Sequence, residues 1–97
     1  MEFKIQDDQA RVVLTGRIDD HKAEDLWVGF KALNKNRFRN MVMDMAGVTS
    51  LSSAAISKMV VISRELQNRD GCLYLVNLPE DLRTMLSVIK LDRIFKF

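Results

Sequence analysis

Apolar and polar positions change period several times along this chain, and each change marks an element. Residues 2 to 6 alternate, with Phe3 and Ile5 on one side, as a short edge strand does. Asp7, Asp8 and Gln9 are polar enough to turn the chain. Arg11-Val12-Val13-Leu14-Thr15 is a β-branched run behind them, so the two segments are expected to form a hairpin. Gly16 either ends the second strand or lets it bend. The period then lengthens, because Ala23, Leu26, Trp27, Phe30 and Leu33 recur at helical spacing. Asp19 and Asp20 can cap that helix, Glu24 and Asp25 complement its positive end, and Asn34 to Asn36 close it. Met41-Val42-Met43, within residues 39 to 45, is short and continuously apolar, as buried parallel strands are. A polar loop is expected next, running to the serines that open a second helix over 53 to 69. Its stripe is Ile56, Met59, Val60, Ser63 and Leu66, widened by Val61 and Ile62. Arg64 and Arg69 suit its negative end and Gly71 is a natural stop. Residues 72 to 76 read as a buried strand. Pro79, Glu80 and Asp81 open a third helix with the face Leu82, Met85, Leu86 and Ile89, and 94 to 97 read as a last short strand.

The order is therefore ββαβαβαβ, an α/β fold. Right-handed crossovers give a mixed, largely parallel sheet of about five strands, with an N-terminal antiparallel hairpin, packed against the helices. At 97 residues, 47% of them hydrophobic, one domain with its own core is expected, with neither repeat nor linker. The net charge is only +2, so nucleic acid is not an expected partner, and the Lys31, Lys35, Arg37, Arg39 cluster reads as a solvated helix end. The single cysteine, Cys72, excludes an internal disulfide and reads as a buried structural thiol. Met1-Glu2-Phe3-Lys4 has no basic-then-apolar signal, and no apolar run approaches the ~20 residues of a membrane span, so a cytoplasmic location is expected.

Catalysis by this chain is not expected. His21 stands alone beside the first helix start, the acids form no pair of evident chemical purpose, and the four glycines are scattered. Zinc ligands are absent from the sequence pattern and no cofactor is expected. What remains is the run from Asp44 to Ile56, where a strand leads to serines at a helix start. Ser52 can simply be an N-cap, worth ~1 kcal/mol, with Ser50 and Ser53 solvated. Equally, a hydroxyl in the field of a helix N-terminus can carry a phosphate, which adds about −1.5 to −2 charges. Such a charge alters an interface and leaves the fold in place.

The segment Leu14-Thr15-Gly16-Arg17-Ile18-Asp19, followed by Ala23 and Leu26, resembles the Leu-x-Gly-x-Leu/Ile-Asp segment of STAS domains (sulfate transporter and anti-sigma-factor antagonist). Asp44-Met45-Ala46-Gly47-Val48 through Ser53 resembles the strand and phosphoacceptor loop of that family. The Asp70-Gly71 turn, the strand end Leu75-Val76-Asn77 and the tail Leu91-Asp92-Arg93-Ile94-Phe95 also fit, so the likeness spans nearly the whole chain. It is greatest to the small stand-alone anti-sigma-factor antagonists of bacteria.

The resemblance implies a monomer, when free, that binds a cognate ATP-dependent serine kinase acting as an anti-sigma factor. Phosphorylation by that kinase ends capture, and a metal-dependent serine phosphatase reverses it. The implied phosphoacceptor is Ser53. The implied docking surface comprises Asp19, Asp20 and His21 before the first helix, with Ser50, Ser52, Ala54, Ala55 and Lys58 around the acceptor. Where the family carries Asp before the acceptor and Ser or Thr, then Gly, after it, this chain has Ser52, Ala54 and Ala55. The lost carboxylate lowers repulsion of a phosphate but removes a feature a kinase can read. Two alternatives follow: a constitutive, unphosphorylated scaffold in a stress-sensing or lipid-transport assembly, and a nucleotide or anion sensor at the helix start.

Overall fold

Burial alternates strictly along residues 9 to 15, inward at Ala10, Val12 and Leu14, and this period of two makes the segment a strand with one face in the core. The computed structural model describes residues 1–33 and 38–97. In chain order the elements are β1 (Phe3–Gln6), β2 (Gln9–Ile18), α1 (Asp20–Leu33), β3 (Asn40–Leu51), α2 (Ser53–Gln67), β4 (Leu73–Val76) and α3 (Glu80–Val88), then a single 3-10 turn, Leu91–Arg93. The sheet order is β1-β2-β3-β4, with the first pair antiparallel and the other two parallel. The expected fifth strand over 94 to 97 is reduced to one parallel bridge between Lys96 and Tyr74, following the 3-10 turn. Phe95 is nonetheless buried, and Ser63 Oγ donates to the Ile94 carbonyl at 3.0 Å, so the C-terminal segment is packed.

One sheet face carries the helices. Ala10, Val12 and Leu14 of β2, Met41, Met43 and Met45 of β3, and Leu73 and Leu75 of β4 share a core with Ala23, Leu26 and Phe30 of α1. Leu82 and Leu86 of α3 close it. The buried line of α2 is Ala55, Met59, Ile62, Ser63 and Leu66, which keeps Met59, Ser63 and Leu66 of the expected stripe and replaces its other members with Ala55 and Ile62. Ile56 and Val60 are half-buried at its border, because both flanks of the helix are apolar and spacing alone cannot choose between them. Ile89 lies past the end of α3 and is exposed, and Cys72 is half-buried just before β4 rather than within it.

Two departures bear on the site. First, β3 does not stop near residue 45 but runs to Leu51. Between Val13↔Asp44 and Thr15↔Gly47, and again between Gly16↔Val48 and Arg17↔Ser50, β3 advances one residue more than β2. These bulges reverse which residues point inward, so Val48 faces the core while Ala46 and Gly47 are exposed. Gly16, at φ +73, accommodates the resulting bend in β2. Second, α2 ends at Gln67, and the left-handed residue after it is Asp70 at φ 60, not Gly71. Gly71 is required for space, since a Cβ there would collide with the Arg39 carbonyl. Arg69 seals this end by donating to the Phe38 carbonyl at 3.1 Å, its guanidinium 5.0 Å from the Phe38 ring. Lys35, Arg37 and the expected helix stop at Asn34 to Asn36 lie outside the described residues. Lys31 sits over the Trp27 ring, and the Arg39 amide donates to the Asp8 carbonyl.

Candidate functional site

Parallel strands deliver their following helices to the same end of a sheet, and β2 and β3 do this for α1 and α2. Ile18 pairs with Leu51, and the Ser52 amide donates to the Ile18 carbonyl at 2.9 Å, so the two helix starts are stitched together. Each start has a side-chain cap. Asp19 Oδ1 accepts from the Lys22 amide at 3.0 Å, and Ser52 Oγ accepts from the Ala55 amide at 3.0 Å. The Asp19 carboxyl is held below the usual carboxylate range, first by the Lys22 amide and further by the charges of His21 and Lys22. A shallow cleft of about 210 Å³ opens between the two starts, lined by Arg17, Asp19, Ser50, Leu51 and Ser52 among others.

The two helix starts hold at one end of the sheet the residues that the family resemblance grouped, Asp19, Asp20 and His21 with Ser50, Ser52 and Ser53. Ser53 is the first residue of α2 and is exposed, while Ser52 beside it is half-buried and its hydroxyl is engaged as the cap. No acidic residue occupies the first turn of α2. Ser50 is an exposed strand residue paired with Arg17, not part of a loop. Asp20 and His21 are exposed on the first turn of α1, where His21 Nε2 lies 3.8 Å from Asp25. Ala54 is half-buried, and Ala55 is fully buried, its methyl packed in the core with no surface to offer. Lys58 points toward α1, 3.8 Å from Glu24 and 5.3 Å over the Trp27 ring. Spacing did not find Arg17, Leu51, Glu24 or Trp27 as neighbours of the site. Their proximity depends on strand register and helix packing, which no local pattern encodes.

The STAS domain family model matches residues 1–97. The chain belongs to the STAS family. Among solved structures, a putative anti-sigma factor antagonist from Thermotoga maritima is 25% identical with a TM-score of 0.86, over 98% of this chain and 82% of that one. The anti-sigma factor antagonist SpoIIAA in its unphosphorylated form is 16% identical with a TM-score of 0.77, over 89% of this chain and 80% of that one. The Bacillus cell fate determinant SpoIIAA in its phosphorylated form is 14% identical with a TM-score of 0.79, over 97% of this chain and 86% of that one. At the last two identities the likeness is one of fold. This STAS domain thus has the fold of the anti-sigma factor antagonists, with its paired helix starts at the end of two parallel strands. Among the described residues no helix is long and apolar enough to cross a membrane.

Proposed function

We propose that this STAS domain is a phosphorylation-switched antagonist that captures a serine kinase of the anti-sigma type in the cytoplasm. The single observation that carries the reading is the contrast between two adjacent serines: Ser52 holds the helix cap, and Ser53 is exposed with its hydroxyl uncommitted to that cap. A phosphate on Ser53 sits at the positive end of α2, where no acidic side chain of the first turn opposes it. The fold tolerates the added charge, and a kinase docked over the cleft does not. The docking surface in this reading is Asp19, Asp20, His21, Ser50, Ser52 and the exposed rim of Ala54, with Lys58 bracing α2 against α1 through Glu24 and Trp27. The domain acts by binding, as a monomer when free, and a metal-dependent serine phosphatase returns it to the competent state. Likeness in fold to SpoIIAA, which is known in both phosphorylated and unphosphorylated forms, supports this reading.

The test is intact-mass and fragment mass spectrometry of the protein from its native cells, before and after phosphatase treatment. A phosphatase-sensitive species on Ser53 is expected. With the kinase in hand, Ser53→Asp should weaken capture by roughly tenfold or more while Ser53→Ala retains it. Ser52 in place of a carboxylate favours a second reading, a constitutive scaffold, because the residue that kinases of this family meet before the acceptor is changed. Under that reading Ser53 is unmodified in all growth conditions and both substitutions bind alike.

A further inference from the structure

We infer that Arg17 selects the partner of this surface, by receiving a carboxylate of the docking kinase and so fixing the orientation in which it binds. This rests on the phosphorylation-switched reading above and names the partner's chemistry at that site. Within Leu14 to Asp19 the fold uses every residue but Arg17. Leu14 and Ile18 are buried, and the Thr15 carbonyl accepts from Lys22 Nζ at 2.8 Å. Gly16 takes the left-handed bend and Asp19 caps α1. Arg17 is exposed, and among the described residues its guanidinium makes no hydrogen bond or ion pair. The second bulge of β3 pairs it with Ser50, which sets it on the wall of the cleft between the helix starts, along with Ser52.

The two sides of this surface differ in charge. The start of α1 brings Asp19 and the exposed Asp20, whereas the first turn of α2 brings no acid. The lysines nearby are engaged, Lys22 with the Thr15 carbonyl and Lys58 with Glu24 and the Trp27 ring. Arg17 is thus the cation of the cleft left to meet a partner. A guanidinium presents a planar fork of donors that matches the two oxygens of a carboxylate. A kinase face with an acid over Arg17 and a base over Asp20 fits this surface in one orientation. Turned round, the same face sets like charges against each other and loses affinity.

The experiment uses the kinase that co-purifies with the full chain from native cells and phosphorylates Ser53. Its capture by the natural chain and by Arg17→Glu, Arg17→Lys and Arg93→Glu is titrated at low and high salt, with folding checked by circular dichroism. Arg17→Glu is expected to weaken capture at least about tenfold, chiefly through slower association at low salt. Arg17→Lys, which keeps the charge and loses the fork, is expected to fall between that variant and the natural chain. Arg93→Glu, the same charge change on the 3-10 turn, is expected to leave capture unchanged. Carbodiimide coupling of the Arg17→Lys complex is then expected to join the introduced amine to an Asp or Glu of the kinase, read by peptide mass spectrometry. A kinase that phosphorylates Ser53 yet binds Arg17→Glu within about threefold of the natural chain overturns this inference alone, as does the absence of that cross-link. A natural chain that captures no kinase overturns the proposed function with it.

Discussion

Ser52 and Ser53 are neighbours with opposite surroundings, and the difference lies in a single hydrogen bond. Ser52 has extended backbone, φ −74 and ψ 163, which turns its hydroxyl back onto the Ala55 amide. One of the orphan amides of the helix start is thereby satisfied. Ser52→Ala should cost about 1 kcal/mol in a urea titration, and Ser52→Asp should be neutral or slightly stabilising, since a carboxylate caps equally well and suits the positive end. Asp44 makes a comparable local investment on the sheet. Its carboxyl accepts from the Ala46 amide at 3.1 Å and Asn77 Nδ2 at 3.2 Å, with Arg11 at 3.5 Å. Those amide bonds, and then the Arg11 charge, hold it below the usual carboxylate range. A depressed carboxyl contributes stability that is present above its unfolded pKa, near 3.8, and is lost as pH falls through the lower folded value. Asp44→Asn should therefore melt below the natural protein at pH 7. That gap should close on acidification below about pH 4, as followed by thermal denaturation.

At the scale of elements, the end of α2 illustrates how one small residue is chosen. The sequence Asn68-Arg69-Asp70-Gly71 reads as a glycine stop, yet Asp70 takes the left-handed turn and the Gly71 amide donates to the Leu66 carbonyl at 2.8 Å. Gly71 is needed because the chain before β3 passes directly over it at Arg39. Gly71→Ala should destabilise by about 1 to 3 kcal/mol through that collision, as overpacked sites do, measurable as a lower denaturant midpoint with an unchanged slope. Residues 46 to 51 of β3 make the complementary point. Their polarity and broken alternation read as a loop. Pairing with β2 across two bulges makes them strand, and that longer strand is what brings Ser52 beside Ile18.

For the molecule as a whole, one sheet face and three helices share a single buried cluster, and methionine fills much of the middle. Met41, Met43, Met45 and Met59 have no measurable exposure. Unbranched and polarisable, they fill the irregular gap between a twisted sheet and two helices. Met59→Ala should cost about 2 to 5 kcal/mol, a large share of the ~5 to 15 kcal/mol that holds a small domain folded. A guanidinium chloride titration checks this, and a loss under 1 kcal/mol would mean that α2 settles onto the sheet without the thioether. The opposite sheet face is exposed along β2. Arg11, Val13 and Thr15 lie in the open there, and Asp44 and Asn77 tie β3 to the end of β4 across it.

Local chemistry by itself determined the hairpin, the helix faces at Ala23, Leu26 and Phe30, the cap at Ser52, and an exposed hydroxyl at Ser53. Each of these depends on residues within a few positions of one another, where period, capping and turn preference act directly. The family likeness was legible too, from the order of short segments along the chain. Tertiary structure alone decided the rest. Ala55 became core and not surface because α2 rolls onto the sheet through Met59 and Ile62. Lys58 became a brace because α1 lies alongside, and Arg17 reached the cleft because β2 and β3 end in register. Contacts between residues distant in sequence follow from how whole elements dock, and docking depends on summed burial that no single segment carries.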